Sequence, residues 1–285
     1  MTTRRSALKQ ISLITAGSML AANSWAGKKQ KNIGVQLYTL RNDLARDAQG
    51  SIRKVAALGF KEVENFGYNG KFFGMDAKSY RDFLTGLGLT APSGHYMLGN
   101  LKSGWEKAVE DALLVGQQYM VLAFLMPNER TSLDDYKKVA SELNRAGEIC
   151  KKSGIQLCYH NHDFEFQNFN GTLPFDVLLS QTDPELVKIE LDLYWTVKAG
   201  QQPLEIFKKY PKRIALWHVK DMDNTEKRGF TEVGSGVIDF KPIFKAHKQS
   251  GMKHFFVEQD ICPGSPFVSI EKSITHIKSK LLKFV

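Results

Sequence analysis

Ser153-Gly154-Ile155-Gln156-Leu157-Cys158-Tyr159-His160-Asn161-His162 is a strand entered from a helix and closed by imidazoles. The preceding stretch, 133–152, is long and amphipathic, and Gly154 supplies the left-handed backbone that ends a helix. An apolar run of strand length then begins at Ile155. Successive strand side chains alternate between faces, so Cys158, His160 and His162 share one side while Leu157, Tyr159 and Asn161 share the other. Two histidines therefore point together from the end of one strand.

Working outward, the same unit recurs eight times. Short apolar runs at 33–37, 60–64, 89–95, 119–123, 155–160, 187–192, 213–219 and 253–258 alternate with amphipathic stretches such as 51–58, 105–116, 133–152 and 240–250. Glycines precede the runs in Gly59-Phe60, Gly88-Leu89, Gly154-Ile155 and Gly251-Met252. Eight strand–helix units in about 250 residues predict a single-domain (β/α)8 TIM barrel. The rival is a doubly wound open sheet, which normally carries a Gly-rich phosphate loop after its first strand. Val35-Gln36-Leu37-Tyr38-Thr39-Leu40 offers none.

The chain has 285 residues, 42% hydrophobic and 24% charged, which suits one large globular domain and excludes disordered or fibrous classes. Its three cysteines, Cys150, Cys158 and Cys262, have no C-x-x-C spacing, excluding a cysteine zinc module and a disulfide framework. Formal charge is +9. Arg4, Arg5 and Lys9 belong to a leader without acidic residues, so residues 27–285 carry +6.

That leader comprises Arg4-Arg5, an apolar stretch from Ile11 to Ala22 and the small-x-small signal Ser24-Trp25-Ala26. The apolar part is about 12 residues against the roughly 20 of a spanning helix, so no stable membrane span is expected. The layout resembles a twin-arginine export signal over 1–26, with the barrel at 27–285 and a periplasmic location.

A barrel places its active site at the C-terminal ends of its strands. There the apolar runs close on Glu64, His95, His160 with His162, Asp192, His218 with Lys220, and Glu258. Imidazoles and carboxylates converging from neighbouring strands are costly unless a cation sits among them. A divalent metal does this, and mixed nitrogen and oxygen donors suit Mn, Zn, Co or Fe, with Mg also open, better than an all-oxygen calcium cage. Tyr38, Phe66, Tyr96, Phe124, Trp195 and Trp217 also fall near strand ends, where rings stack on the carbon–hydrogen face of a sugar. The Gly-containing segment 227–236 reads as a mobile loop with Glu232 at its rim.

The motifs at 154–166, 190–200, 216–222, 233–240 and 255–260 together resemble the xylose isomerase-like TIM barrels of the sugar phosphate isomerase/epimerase family. The resemblance implies a metal held by His160, Asp192, His218 and Glu258, with His162 in reserve. His160 stands where the family usually has Glu, and Trp195 where many sugar epimerases have a substrate-contacting His. It implies a small-molecule carbohydrate substrate bound by Glu64, His95, Trp195 and Lys220, and a metal-dependent isomerase or epimerase working through an enediolate.

In that chemistry Glu258 is the first choice of base, His162 or Glu64 the second, and Lys220 neutralises oxyanion charge. Lys220 also has a structural reading, a salt bridge to Asp221 or Asp260. The runner-up function is a lyase for 3-keto-glycosides, in which the same enolisation expels a neighbouring oxygen. More distant are an abasic-site endonuclease, which needs more His and Asp ligands than the chain supplies, and a non-catalytic sugar-binding barrel. No nucleic-acid partner is expected. We predict that replacing Arg4 and Arg5 with lysine strands the precursor in the cytosol; fractionation that recovers the variant from the periplasm at the normal level refutes export by this signal.

Overall fold

The computed structural model describes residues 31–285, so the leader lies outside the described residues. The barrel strands are β1 (Gly34–Gln36), β2 (Glu62–Asn65), β3 (Thr90–Tyr96), β4 (Tyr119–Leu122), β5 (Gln156–His160), β6 (Val187–Asp192) and β7 (Ile214–Val219). A short antiparallel pair follows, β8 (Asp221–Met222) and β9 (Phe230–Thr231), and the eighth barrel strand is β10 (His254–Val257). Each barrel strand pairs in parallel with its neighbours, and β10 pairs back onto β1 with Val35 opposite Val257. Closure leaves no exposed barrel edge.

The helices form where capping and apolar stripe agree. Helix Leu133–Lys152 starts at Ser132, whose hydroxyl accepts from the Asp135 amide at 3.2 Å. Asp134 and Asp135 occupy its first turn and Lys151 and Lys152 its last, matching the helix dipole. It buries Tyr136, Val139, Ala140, Leu143, Ala146, Gly147 and Cys150, a stripe at helical spacing. Gly154 then takes φ 74°, as the chain turns into β5.

Two local expectations need correction. Residues 240–250 form two helices, Phe240–Lys245 and His247–Ser250. The Ala246 amide is shared between the carbonyls of Pro242 and Ile243, at 3.1 and 3.0 Å, which tightens the turn and redirects the chain. The segment 227–236, expected to be mobile, is pinned by the buried Asp221 carboxylate. It accepts from the amides of Gly234, Gly236 and Ile238 at 2.8, 3.1 and 3.2 Å. Glu232 turns away from the barrel mouth to Ser269 and Lys272.

Inside the barrel the side chains lie in three floors. At the N-terminal end Glu62 accepts from Asn32 at 3.0 Å and pairs with His254 at 2.8 Å. Above it Val121, Cys158, Ala215, Leu216 and Phe256 make a small apolar belt, separate from the larger core under the helices. The ionisable strand-end residues sit above that belt, so the apolar floor isolates them from the far end. Among the described residues no helix is long and apolar enough to cross a membrane.

The belt requires a glycine at 34. A Cβ there would lie 2.3 Å from Phe256 Cδ1 and 3.0 Å from the Phe255 carbonyl oxygen. Gly34→Ala is expected to destabilise the fold by about 1–3 kcal/mol through overpacking, and adding Phe256→Leu should recover part of that. Denaturant unfolding of both variants checks this, and a single variant as stable as wild type refutes the account.

Candidate active site

Adjacent strands β5, β6, β7 and β10 bring the predicted ligands together. Asp192 ends β6 opposite His218 on β7, and His218 lies opposite Phe256, two residues before Glu258. Asp192 is fixed from two sides. Its amide donates to Asn161 Oδ1 at 3.0 Å, and its Oδ1 accepts from the Trp195 amide at 2.8 Å, capping helix Leu193–Lys198. This leaves Asp192 Oδ2, fully buried, with the Lys220 ammonium at 3.0 Å as its partner.

His218 uses both ring nitrogens. Nδ1 meets Glu258 Oε2 at 2.8 Å and Nε2 meets Glu64 Oε2 at 2.6 Å. Two groups of possible ligands consequently share this ring, Asp192–His218–Glu258 and His95–His160–Glu190–His218. His160 spans them: its Nε2 is 3.9 Å from Asp192 Oδ2 and its Nδ1 3.1 Å from Glu190 Oε2, without hydrogen-bond geometry at Nδ1. Glu190 also meets His95 Nε2 at 2.7 Å. It was missing from the expected set, although it shares a face with Asp192 and the period-two pattern points to it.

Lys220 is buried against three carboxylates, Asp192 at 3.0 Å, Glu258 at 2.7 Å and Asp260 at 2.7 Å. Of its two structural partners read from sequence, Asp260 is the real one, while Asp221 serves the loop. Burial works to lower the pKa of Lys220, yet the three carboxylates raise it well above the usual lysine range. Burial opposes ionisation of Glu258, but Lys220 and His218 hold its pKa well below the usual value. Burial lifts Asp192 to about 6 against the pull of Lys220. Burial, aided by the charge of His218, lowers His160 to about 3, and burial likewise drives His162 well down. The site thus combines a charged ammonium, an ionised Glu258, a His218 that its neighbouring carboxylates hold protonated, and neutral imidazoles at His160 and His162, the form in which histidine ligates metal.

A cavity of about 400 Å³ opens above this cluster. Of the predicted residues, His95, His160, His162, Lys220 and Glu258 line it. Asp192 and His218 lie fully buried among the ligands. Glu64 does not reach it, being buried and bonded to Gln36 at 2.8 Å, to Ser93 and to His218. Trp195 stands beside the cavity rather than in its wall, 5.6 Å from the His162 ring and 5.8 Å from Lys220 Nζ. Tyr38, Phe66, Tyr96 and Phe124 are in the wall. Trp217, expected there, points outward and stacks on Phe207 at 5.3 Å, because it neighbours inward-facing His218 and strand faces alternate.

Residues 52–279 match the family described as xylose isomerase-like TIM barrel. The chain belongs to that family. It is 30% identical over 211 residues to an inosose dehydratase of Lacticaseibacillus casei, covering 66% of this chain and 64% of that protein. A solved sugar phosphate isomerase/epimerase from Parabacteroides distasonis superposes with a TM-score of 0.79 at 31% identity, covering 90% of this chain and 96% of that one. A zinc-bound IolI protein, at 12% identity and a TM-score of 0.67 over 90% of this chain and 99% of that one, shares the fold. Dehydratases and isomerase/epimerases are thus both among the relatives.

The loop carrying His162 is held from below by Glu165, which accepts from the His162 amide at 2.7 Å and from the Tyr159 hydroxyl. Burial raises Glu165 to about 7 from 4.5. A carboxyl raised on folding is protonated preferentially in the native state, so its contribution is greatest below the unfolded pKa and is lost as pH rises towards 7. Stability should fall across pH 4.5–7 by on the order of 3 kcal/mol from this group. Glu165→Gln should flatten that part of the profile, and an unchanged slope by denaturant titration at several pH values refutes the assignment.

Proposed function

We propose that the chain is a metal-dependent enzyme that enolises a keto-sugar or related polyhydroxy ketone and completes the reaction by eliminating a neighbouring oxygen, as a lyase or dehydratase. The observation that carries this reading is the buried cluster of Asp192, His218 and Glu258 beneath an open cavity, with neutral His160 Nε2 3.9 Å from Asp192 Oδ2, an oxygen held only by the Lys220 ammonium. Several carboxylates sharing one ammonium in a closed barrel are costly, and a dication relieves that cost. His160, Asp192, His218 and Glu258 would hold the metal, whose identity among Mn, Zn, Co, Fe and Mg the donor set leaves open. When bound, it supplies a Lewis acid that polarises a ketone oxygen and acidifies the adjacent carbon–hydrogen bond.

The chain's own residues supply the rest. Glu258 reaches the cavity as an ionised carboxylate and takes the proton. Lys220 presents a fixed positive charge to the oxygen that gains negative charge. His162, a neutral imidazole on the cavity wall, orients the leaving oxygen by hydrogen bonding, and the proton that Glu258 took returns to that oxygen as the carbon–oxygen bond breaks, so that water or an alcohol departs. His95 contacts the substrate from the cavity wall, and Trp195 backs the His162 ring.

Elimination is preferred over epimerisation for a reason in strand five. Epimerisation needs proton carriers on both faces of the substrate, and the usual glutamate at the end of that strand is His160 here, which faces the ligand cluster. Glu64, an alternative second carboxylate, lies out of reach beneath the cavity. The dehydratase name of the Lacticaseibacillus relative supports the same choice. The isomerase/epimerase reading retains the support of the Parabacteroides structure's name at 31% identity. The proposed site of action is the periplasm, on the strength of Arg4-Arg5 and the short apolar segment that follows.

Two measurements test the reading. Elemental analysis should find near-stoichiometric divalent metal that is lost in His218→Ala. Incubation of keto-sugars and 3-keto-glucosides in heavy water should give deuterium exchange beside the carbonyl together with an eliminated product. Glu258→Gln should slow exchange by about 10²–10⁴-fold while retaining part of the metal. Metal-free protein with full activity, or a metal-loaded Glu258→Gln variant exchanging at the wild-type rate, overturns the mechanism.

A further inference from the structure

The cavity has two chemically different halves. The ends of β1 to β4 contribute mainly apolar side chains, Tyr38, Phe66, Met97 and Phe124, with His95 and Asn100 as the polar exceptions, whereas β5, β7 and β10 contribute His160, His162, Lys220, Glu258 and Asp260. The apolar half is braced. Tyr38 meets Phe66 edge to face at 5.3 Å, and Phe66 meets Phe73 in the same way at 5.5 Å. Tyr38 and Met97 are nevertheless each 40% exposed, so this wall presents uncovered apolar surface at the mouth. A monosaccharide held by its carbonyl end against the polar half leaves that wall without a partner.

Charge sets the second limit. Among the described residues lining the cavity, Lys220 is the only lysine or arginine, and three carboxylates already surround it. The arginines nearby are turned to other work. Arg41 donates to the carbonyls of Asp260 and Tyr38 at 2.8 and 3.1 Å and lies over the Tyr38 ring. Arg130 donates to the Leu125 carbonyl at 3.0 Å and stacks 3.7 Å from the Phe164 ring centroid. Beside the cavity, the Met97 amide at the start of helix Leu98–Lys102 is already capped by Asn100 Oδ1 at 2.9 Å. A phosphate would face Glu258 and Asp260 with no free cation to receive it, and like charges brought together in a desolvated site are strongly disfavoured.

We propose that the site takes an uncharged, two-part substrate, a keto-sugar carrying an apolar or aromatic aglycone, and rejects sugar phosphates. The glycone addresses the polar half and the aglycone lies on the Tyr38–Phe66–Phe124 wall. The proposal rests on the enolisation reading for its kinetic readout and on the cavity alone for its selectivity.

A matched set decides it: a keto-sugar with a phenyl aglycone, the same keto-sugar without it, and its phosphate ester, each with the metal-loaded full chain in heavy water. The phenyl glycoside should exceed the free sugar in kcat/KM by roughly tenfold, and the phosphate ester should fall about a hundredfold below it. Phe66→Ala, with Phe66→Leu as the variant that keeps most of the volume, should move the phenyl-to-free ratio towards one. Asp260→Asn removes one of the three partners of Lys220 and should raise the phosphate-to-free ratio. A phosphate ester that matches or exceeds the free sugar overturns the proposal, as does a phenyl preference indifferent to both Phe66 variants. If no member of the set exchanges deuterium, the enolisation reading falls. Calorimetric affinities of the same three compounds then judge the selectivity by itself, with phosphate binding equal or tighter refuting it.

Discussion

Glu64, Glu190, Asp192 and Glu258 are all buried at one end of a closed barrel, and the structure depends on what balances them. Within the cluster the balance comes from Lys220, from His218 between Glu64 and Glu258, and from His95 against Glu190. Removing one member of such a set leaves its partner buried and uncompensated, a loss of about 3–5 kcal/mol in comparable pairs. Burial raises Asp192 and Glu64 while it opposes the charge on Lys220. The same desolvation that makes the cluster costly makes a cation among these donors favourable. Stability and ligand binding therefore draw on one electrostatic feature.

The barrel confines that cost. The belt of Val121, Cys158, Ala215, Leu216 and Phe256 separates the charged floor from the Glu62–His254 pair at the opposite end. Gly34 belongs to this arrangement because the Phe256 ring fills the space beside it. Topology then divides the mouth. Strand ends one to four carry mainly aromatic side chains into the cavity, and strand ends five to eight carry the ionisable ones. Chain order around a closed parallel barrel is spatial order, so an asymmetry along the sequence becomes a two-sided site.

That correspondence is why so much was readable beforehand. Eight alternating apolar runs and amphipathic stretches, four of the runs entered through a glycine, pointed to the barrel, and the family match and the closed sheet agree with it. Strand ends pointed to a wider polar set, and the family resemblance singled out His160, Asp192, His218 and Glu258 within it. Distances and facing were not readable. Trp217 was mistaken for a wall residue although its neighbour His218 takes the inward face. Glu64 looked like a substrate contact, but its carboxylate is turned down to Gln36, Ser93 and His218. Glu190 shares a face with Asp192, but the family resemblance takes only Asp192 from that strand, so Glu190 stayed outside the expected set. The pinned loop at 227–236 depends on Asp221, whose four amide partners come from as far as Ile238, a long-range closure that local composition does not encode.

Lys220 poses the remaining question, since its ammonium lies 3.0 Å from Asp192 Oδ2 and 2.7 Å from Glu258 Oε2, two oxygens assigned to a metal. Two cations sharing these oxygens would repel each other unless one had another counter-charge. Asp260, 2.7 Å from Nζ and more exposed than the other two carboxylates, is that counter-charge. In the proposed mechanism, an ammonium anchored by Asp260 would stay at the cavity wall when the other two oxygens take a metal, and would then face the substrate. Lys220, two residues beyond His218 on the same strand face, would thereby neutralise the cluster before loading and present its charge to a developing oxyanion afterwards. The carboxylate two residues beyond Glu258 makes both roles compatible in one side chain.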